Sequence, residues 1–506
     1  MFGSGNLGDP FNDRITSTKS AIIDLGESSP REFSYATLDE MARDAARALT
    51  RRGLKRGDRV AILSANSAEF LAAYFGIMRA GFVAVPVNFK FPRATIEFIL
   101  RDCGAKLVFC DPPRRADCPS DIAVVCFRDE GDQGFDNFLD RGPFETIAPA
   151  ADEPAMFLYT SGSTGIPKGV VLSHQSHVWV AETRLGGQNY AHHRFLIAAP
   201  LYHMNALALS ILACAAGGTI VLLPQFTASA YIEAIGRYRC TWLTAVPPMI
   251  AMMLRERALL DRTDLSSVES VRMGSAPVSS SLMNALHHTL PNASVTNAYG
   301  TTEAGPVVFG PHPDGLAQPP TSLGYRHPMV QLRLVDGSNR DAVQGELEMK
   351  SPALMLGYHN RPDLPPPFTE DGFYRTGDVF RRDDNGFYYF IGRIDDMFVS
   401  GGENIYPGDV ERMLERHPDV GQAAVVPIDD EIKGQKPVAF IIAKGSHRPS
   451  AEDIKNFALR NAPAYQHPRF VWFVDGFPLA STNKVDRGAL RRLADERLAK
   501  ANHPPR

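Results

Sequence analysis

Short apolar runs alternate with amphipathic stretches along the first part of this 506-residue chain, and the same rhythm returns between about 195 and 300. Arg59–Leu63 and Leu107–Cys110 have the length and composition of strands. Apolar residues at helical spacing follow Ser34, which can cap a helix. Strands that alternate with helices favour a mainly parallel sheet whose faces the helices cover. The sequence therefore predicts an α/β fold.

The pattern changes twice toward the C-terminus. Between about 310 and 390, glycines, prolines and short alternating strands predict a small antiparallel β unit. After residue 396 a helix opened by Pro407, further strands and a helix capped by Ser450 form an α+β module of ordinary domain size. We expect residues 1–392 to form a large N-terminal domain, 393–396 a hinge, and 397–506 a smaller, mobile C-terminal domain.

Composition and charge exclude several classes of protein. The formal net charge is −4, which disfavours a nucleic-acid-binding protein. The six cysteines form no Cys-x-x-Cys pair, and the N-terminus has no signal-peptide pattern, so a cytoplasmic location is expected.

The uncharged run 206–223 has the length of a membrane span. Gly217 and Gly218 interrupt it, which favours a buried helix, a turn and a strand over an integral membrane segment.

The stretch Tyr159–His174 carries the strongest chemical signal. An apolar strand leads into a loop of glycine and hydroxyl residues, which can form an anion nest, and the adjacent Lys168 can add a charge for phosphate. Gly169 follows that lysine where a Walker A site needs Ser or Thr, so a P-loop enzyme is disfavoured. The candidate phosphate-binding residues are Thr160, Ser161, Gly162, Ser163, Thr164, Gly165 and Lys168.

This loop resembles the phosphate-binding signature of the acyl-adenylate-forming enzymes, which include acyl-CoA synthetases, peptide-synthetase adenylation domains and luciferases. Further matches follow in that family's order. They are Pro200-Leu-Tyr-His203, Gly274-Ser-Ala-Pro277, Asn297-Ala-Tyr-Gly-Thr-Thr-Glu303, Gly345-Glu-Leu-Glu348, Tyr374-Arg-Thr-Gly-Asp378, Gly392-Arg-Ile-Asp-Asp396, Ser400-Gly-Gly-Glu-Asn-Ile-Tyr-Pro407 and Asn483-Lys484. The resemblance implies that a carboxylate attacks the α-phosphorus of ATP with loss of pyrophosphate, and that a thiol then displaces AMP.

The resemblance also implies which residues bind nucleotide and metal. Thr302 would touch the α-phosphate, and Glu303 would hold Mg²⁺ against phosphate oxygens. Asp378 would accept hydrogen bonds from the ribose hydroxyls, and Arg393 would contact the nucleotide near the hinge. The remaining nucleotide-site residues are Gly274, Ser275, Ala276, Pro277, Asn297, Ala298, Tyr299, which can stack on adenine, Gly300 and Thr301.

The C-terminal module would serve both half-reactions. The ammonium of Lys484 would hold the incoming carboxylate beside the α-phosphate, which is positioning combined with electrostatic stabilisation. Asp395 occupies the hinge position of a family that rotates its small domain between the two steps. The residues expected to meet coenzyme A are Gly401, Gly402 and Glu403, which would line the pantetheine tunnel, and Arg469, which would meet a phosphate.

The identity of the acid is less constrained. His203 is expected to form a pocket wall that gates the acid rather than a base. The stretch Tyr202–Asn205 lacks the aspartate with which amino-acid-activating relatives hold the amine. Ala304-Gly-Pro306 resembles aryl and medium-chain acid ligases. The pairs His174/His177 and His192/His193 are interpreted as structural, because no carboxylate or cysteine completes a metal site in sequence.

The sequence therefore predicts a cytoplasmic, ATP-dependent acid–CoA ligase that uses Mg²⁺ and coenzyme A and favours a medium-chain fatty or aryl acid. A stand-alone adenylating enzyme that loads an acyl carrier protein is the first alternative, although no carrier domain is evident. A luciferase-like oxygenase and a non-catalytic nucleotide-binding protein are the others. Lys484, Glu303 and Asp378 argue against the last. A homodimer is left open, and no nucleic-acid partner is expected.

Overall fold

The structure is a computed structural model that describes residues 2–11, 17–160, 166–274, 276, 278–445, 448–480 and 484–502. Ser34 caps the first helix, as its sequence predicts, because its hydroxyl accepts a hydrogen bond from the Thr37 N–H. The elements up to residue 160 are β1 (Ser20–Asp24), β2 (Arg31–Ser34), α1 (Tyr35–Arg51), β3 (Arg59–Leu63), α2 (Ala68–Arg79), β4 (Val83–Pro86), α3 (Arg93–Asp102), β5 (Leu107–Cys110), β6 (Ala123–Cys126), α4 (Phe135–Phe138) and β7 (Pro154–Thr160).

The segment from 168 to 298 continues the alternation of strands and helices. The run 206–223 folds as predicted into a helix that ends at the left-handed Gly217, followed by a strand. The elements are β8 (Lys168–Ser173), α5 (His174–Leu185), β9 (Arg194–Ile197), α6 (Met204–Ala216), β10 (Thr219–Leu222), α7 (Ala228–Tyr238), β11 (Trp242–Ala245), α8 (Pro247–Arg255), α9 (Arg257–Leu260), β12 (Ser270–Gly274), α10 (Ser280–Thr289) and β13 (Ser294–Ala298). Among the described residues, no helix is long and apolar enough to cross a membrane.

The rest of the chain begins with short strands and ends with a second α+β unit. The predicted hinge, 393–396, comprises the last residue of β20 and the turn that leads to β21. The elements are β14 (Phe309–Gly310), β15 (Gly324–Arg326), β16 (Gln331–Val335), β17 (Gln344–Lys350), β18 (Gly357–His359), β19 (Tyr374–Arg382), β20 (Phe387–Arg393), β21 (Phe398–Ser400), β22 (Glu403–Ile405), α11 (Pro407–Leu414), β23 (Val420–Asp430), β24 (Gly434–Ala443), α12 (Ala451–Asn461), β25 (Phe470–Phe473) and α13 (Arg487–Asn502).

Four sheets organise these elements, and the predicted α/β fold is confirmed. Two seven-stranded sheets have the orders β13-β12-β11-β9-β10-β1-β2 and β18-β8-β7-β4-β3-β5-β6, and most of their pairings are parallel. The predicted antiparallel unit is the six-stranded sheet β14-β15-β20-β19-β17-β16. Beyond residue 397, the strands form the five-stranded sheet β22-β21-β24-β23, with β25 paired to β24.

The main core lies between the two seven-stranded sheets. Side chains from both sheets and from α1, α2, α5 and α6 share one buried cluster, in which Phe70, Tyr74 and Phe75 of α2 are fully buried. All six cysteines are free and buried.

Because parallel strands run in one direction, the loops that follow β9, β11, β12 and β13 emerge at the same edge of their sheet, where ligands of such folds bind.

An ion pair fastens the last helix to the C-terminal sheet. Arg487 Nη1 and Nη2 lie 2.6 and 2.9 Å from the two carboxylate oxygens of Glu411, and Nη1 also donates to the Val425 carbonyl at 2.7 Å. The Glu411 side chain is 12% exposed and the Arg487 side chain 29%. Removing one partner of such a pair leaves the other charge poorly compensated.

We expect Arg487→Met to lower the unfolding free energy of the C-terminal unit by about 2 to 3 kcal/mol, below the range for fully buried pairs because Arg487 is partly exposed. Denaturant unfolding followed by Trp472 fluorescence measures this loss of unfolding free energy. Because the chain has three tryptophans, the measurement is made in a Trp179→Phe/Trp242→Phe background, in which Trp472 alone remains. Arg491→Met is the matched control. Its pair with Asp429 is exposed, so a loss of less than about 1 kcal/mol is expected. Equal losses in the two variants would contradict the expectation.

Candidate active site

A cavity of about 1640 Å³ lies between the edge of the first sheet and the C-terminal unit. Its walls come from the loops after β9, β11, β12 and β13, from β19 and β20, and from the C-terminal unit around α11 and the turn before α13. Most of the predicted site residues that the structure describes line this one space. They are Thr160, Lys168, His203, Gly274, Ala276, Asn297, Ala298, Tyr299, Gly300, Thr301, Thr302, Glu303, Asp378, Arg393, Asp395 and Lys484.

Asp378 lines the cavity and is almost fully buried. It faces Arg393 directly across the antiparallel pair β19–β20, and Arg393 Nη1 lies 3.3 Å from Asp378 Oδ1. The Tyr299 hydroxyl donates to Oδ2 at 2.5 Å. Burial raises the pKa of the Asp378 carboxyl, whereas Arg393, Tyr299 and Lys484 act to lower it. The carboxylate is therefore held in a fixed orientation by two flanking groups.

Glu303 follows β13 in a tight loop. A Cβ on Gly300 would lie 2.7 Å from the Gly305 carbonyl oxygen, so only glycine fits where the loop folds back on itself. The Tyr358 hydroxyl donates to Glu303 Oε1 at 3.1 Å. The Lys168 ammonium lies 4.7 Å from the centre of the Tyr358 ring. In the part of the chain that the structure describes, the other Glu303 carboxylate oxygen accepts no hydrogen bond, which fits a hard cation such as Mg²⁺.

Lys484 enters the cavity from the C-terminal unit. Its carbonyl accepts from the Ala480 N–H at 2.7 Å, and Leu479 and Val485 form an antiparallel bridge ahead of α13. Burial lowers the pKa of the Lys484 ammonium, and Arg393 lowers it further, whereas Asp378, Asp396 and Glu303 act to raise it. The Lys484 side chain is accessible to solvent because the cavity is wide, and the protein walls of that cavity surround it. The ammonium therefore faces the same space as the two carboxylates.

One wall of the cavity is formed by the segment between β9 and α6. The Asn66 amide donates to the Ala199 and Leu223 carbonyls at 3.0 Å each and accepts from the Leu201 N–H at 2.8 Å, which fixes the segment that carries His203. His203 precedes the first turn of α6. The surrounding lining is largely apolar and includes Met204, Val246, Pro247, Met249, Val278 and Pro306.

Some predicted residues lie elsewhere. Gly401 and Gly402 form an exposed turn between β21 and β22 with φ of 61° and 89°, and Glu403 is exposed beside them. Arg469 contacts His467 at 3.2 Å. Neither group lines the cavity in this arrangement of the chain. The residues Ser161, Gly162, Ser163, Thr164, Gly165, Ser275 and Pro277 lie outside the described residues.

The two large parts of the chain touch at a few polar points beside the cavity. Arg255 Nη1 donates to the Asp475 carbonyl at 3.2 Å. Glu415 at the end of α11 reaches Ser279, which caps α10. Burial raises the pKa of the Glu415 carboxyl to about 8, and the Ala423 N–H and Ser279 oppose the rise. Arg412 Nη2 of α11 also donates to the Ile391 carbonyl of β20 at 3.0 Å, so several polar contacts hold the C-terminal unit against the N-terminal part.

Sequence reasoning missed three residues of the site. Tyr358 and Asn66 act through contacts with residues far away in sequence, and no local pattern marks them. Arg272 lines the cavity from β12 and did carry a signal, since it is a charge inside an otherwise buried strand.

The two histidine pairs have different outcomes. His174 Nδ1 accepts from the Leu7 N–H at 3.0 Å, which agrees with a structural role. The expectation that no carboxylate accompanies His192 and His193 is wrong. Glu269, distant in sequence, approaches both rings, and their ligand atoms lie within 4.8 Å of one another. The Thr241 hydroxyl lies 2.9 Å from His193 Nδ1 and competes for that nitrogen, so the group does not define a metal centre.

Two carboxylates, Asp378 and Glu303, and the ammonium of Lys484 therefore surround one space. The comparison with known proteins identifies the family. Residues 13–359 match the AMP-binding enzyme family, and residues 409–484 match the AMP-binding enzyme C-terminal domain. The chain belongs to the AMP-binding enzyme family.

The similar proteins include several acid–CoA ligases. A 4-coumarate–CoA ligase of Petroselinum crispum is 29% identical, over 92% of this chain and 90% of that protein. A long-chain-fatty-acid–CoA ligase of Mycobacterium tuberculosis is 30% identical, over 96% of this chain and 98% of that protein. The crystal structure of an anthranilate CoA ligase with anthranoyl-AMP has a TM-score of 0.87 at 26% identity, over 98% of both chains. The resemblance drawn from the motifs is confirmed, and the protein is an AMP-forming acid–CoA ligase that uses ATP, Mg²⁺ and coenzyme A.

Proposed function

We propose that the acid is an aryl or medium-chain fatty acid, and that the residues around the cavity carry the roles that their motifs imply. The observation that supports this proposal is that one cavity combines a charged part with a largely apolar part. Lys484, Asp378 and Glu303 surround its polar end, and a largely apolar pocket continues past His203. Such a pocket suits an acid with an apolar body and a carboxylate that reaches the polar end.

In the first step, one oxygen of the acid's carboxylate attacks the α-phosphorus of ATP. A carbon–oxygen–phosphorus linkage forms, and the bond to the pyrophosphate oxygen breaks. Lys484 holds both negatively charged groups as they meet, and Asp378 fixes the ribose. Thr302 contacts the α-phosphate. Glu303 would hold Mg²⁺, which neutralises phosphate charge when bound.

In the second step, the sulfur of coenzyme A attacks the acyl carbon and AMP leaves. We propose that residues 393–396 act as the hinge for this step between the domains 1–392 and 397–506. The support is geometric. Lys484 lines the cavity, whereas Gly401, Gly402 and Glu403 lie exposed outside it. A rotation of the small domain would exchange the two faces. Arg469 then meets a phosphate of coenzyme A. The cytoplasmic location and a homodimer stay predictions.

A series of acids tests the proposed substrate class. Thioester formation is measured with benzoates, hydroxycinnamates and straight-chain acids of graded length, each with ATP and coenzyme A. We expect the highest kcat/KM among aryl or medium-chain acids. Turnover confined to α-amino acids, or to very short acids, would contradict the proposal. Transfer to an acyl carrier protein but not to coenzyme A would favour the carrier-loading alternative.

A further inference from the structure

Arg272 is a cation on β12, an internal strand of the first sheet. Its neighbours in β12, Val271 and Met273, are fully buried in the apolar cluster on the other face of the sheet. The strand pairs on both sides, with β11 and β13, so it is internal. The Arg272 side chain points to the opposite face and lines the cavity beside Pro306. A charge at such a position costs folding free energy unless a partner compensates it.

The protein supplies little compensation. Arg272 Nη2 donates to the Pro306 carbonyl at 3.2 Å. Within the described ranges, no carboxylate hydrogen bonds to Arg272 or forms an ion pair with it. Burial lowers the pKa of Arg272. Burial also lowers the pKa of Arg184, near the end of α5, to about 9, and the charge of Arg272 contributes to that shift. Two cations therefore share this region.

An unsatisfied hydroxyl lies beside the same cation. Thr244 of β11 is the direct parallel partner of Arg272, so the two side chains point to the same face of the sheet. Thr244 is 1% exposed, and its Oγ1 has no hydrogen-bonding partner in the described part of the chain. Buried hydroxyls rarely stay unpaired in folded proteins. Among the described residues, the Arg272 guanidinium therefore has the Pro306 carbonyl as an acceptor and the Thr244 hydroxyl has none, so both can donate to an oxygen of a ligand.

We propose that the acid pocket ends in a subsite for a second carboxylate of the substrate, bound by Arg272, which lines the cavity next to Thr244 of the neighbouring strand. A guanidinium binds a carboxylate through two parallel hydrogen bonds, and a full negative charge offsets two neighbouring cations better than a neutral hydroxyl does. The inference rests on the proposed function and narrows it to dicarboxylic acids with an aryl or medium-chain body. One carboxylate is adenylated beside Lys484, and the other is held at Arg272.

The position of Arg272 sets the length of the acid to be tested. Arg272 precedes Gly274 by two residues, both line the cavity, and the proposed function assigns Gly274 to the nucleotide site. A strand rises about 3.3 Å per residue, so the two positions are about 7 Å apart along β12. Benzene dicarboxylates and straight-chain diacids that span this distance are therefore the first compounds to compare, with shorter and longer diacids on either side.

The experiment compares each diacid with its monomethyl ester and with the analogue that carries a hydroxyl in place of the second carboxylate. The ester keeps the length and removes the charge. The measured quantity is kcat/KM for CoA thioester formation by the full chain. We expect the wild type to prefer the best diacid over its ester by about 10²-fold. In Arg272→Met the ratio should fall to about one, and Arg272→Lys should retain part of the preference because it keeps a cation.

Arg262→Met is the matched control, because Arg262 is exposed outside the cavity and its removal should leave the ratio at its wild-type value. The wild-type comparison needs no variant, so a folding defect in Arg272→Met cannot obscure the result. A wild type that prefers the ester or the hydroxyl analogue would overturn the inference, as would an Arg272→Met variant that keeps the wild-type ratio. The proposed function would survive both outcomes. If no aryl or medium-chain acid, mono- or dicarboxylic, gives a thioester, the proposed function fails and the subsite with it.

Discussion

Replacing Lys484 with alanine is expected to lower the rate of acyl-adenylate formation by about 10²-fold or more, which is the cost of removing a preorganised charge from a transition state. Lys484 of the C-terminal unit faces the same space as Asp378 and Glu303. Its ammonium interacts electrostatically with both carboxylates. Without the ammonium, two anions, the acid's carboxylate and the α-phosphate, must approach each other with less compensation. Acid-dependent exchange of labelled pyrophosphate into ATP measures this half-reaction alone.

The same variant should retain the second half-reaction. The thiol attack on a preformed acyl-adenylate does not bring a carboxylate to a phosphate, so it does not need Lys484 in this position. Lys500→Ala is the control, since Lys500 is an exposed lysine of α13 outside the cavity, and both half-reactions should proceed at wild-type rates. Pyrophosphate exchange at the wild-type rate in Lys484→Ala would show that another group performs the role assigned here.

Replacing Asp395 with proline is expected to slow thioester formation far more than adenylation. Asp395 is exposed, and Arg393 lies 3.7 Å from it and also contacts Asp378. The turn is closed by hydrogen bonds from the Met397 N–H to the carbonyls of Arg393 and Ile394. Proline fixes its own φ and restricts the residue before it, so the backbone change that a hinge must absorb becomes harder.

The two half-reactions are measured separately in this variant, as pyrophosphate exchange and as thioester formation from added acyl-adenylate. Misplacing reacting groups by about 1 Å can cost 10²-fold, so we expect the thioester step to lose up to about 10²-fold. Asp395→Ala keeps a free backbone and should lose much less. Equal losses in both half-reactions of Asp395→Pro would argue against the hinge assignment.

Much of the fold could be predicted because its causes are local. The β3 strand and the α12 helix have the predicted bounds, since apolar spacing and a capping serine act within a few residues. The hydrogen bond from the Tyr299 hydroxyl to Asp378 could not be predicted from local patterns. The motifs marked both residues as ligands of the nucleotide, but only the folded chain shows that one orients the other.

The features that escaped prediction depend on contacts between distant segments. Tyr358 reaches Glu303 because β18 pairs with β8, and nothing in the residues around Tyr358 marks that pairing. Glu269 approaches His192 because β9 and β12 start at the same edge of a parallel sheet. Strand order follows from packing of the whole core, so these neighbours become visible only in three dimensions.

The measurement that tests the central claim most directly is pyrophosphate release over time with a saturating acid and ATP, first without and then with coenzyme A. An acid–CoA ligase holds its acyl-adenylate until the thiol arrives. We therefore predict a burst of about one pyrophosphate per site without coenzyme A, and continuous release with stoichiometric thioester and AMP once it is added. A burst that coenzyme A cannot convert to turnover, or release that needs no acid, would contradict the account.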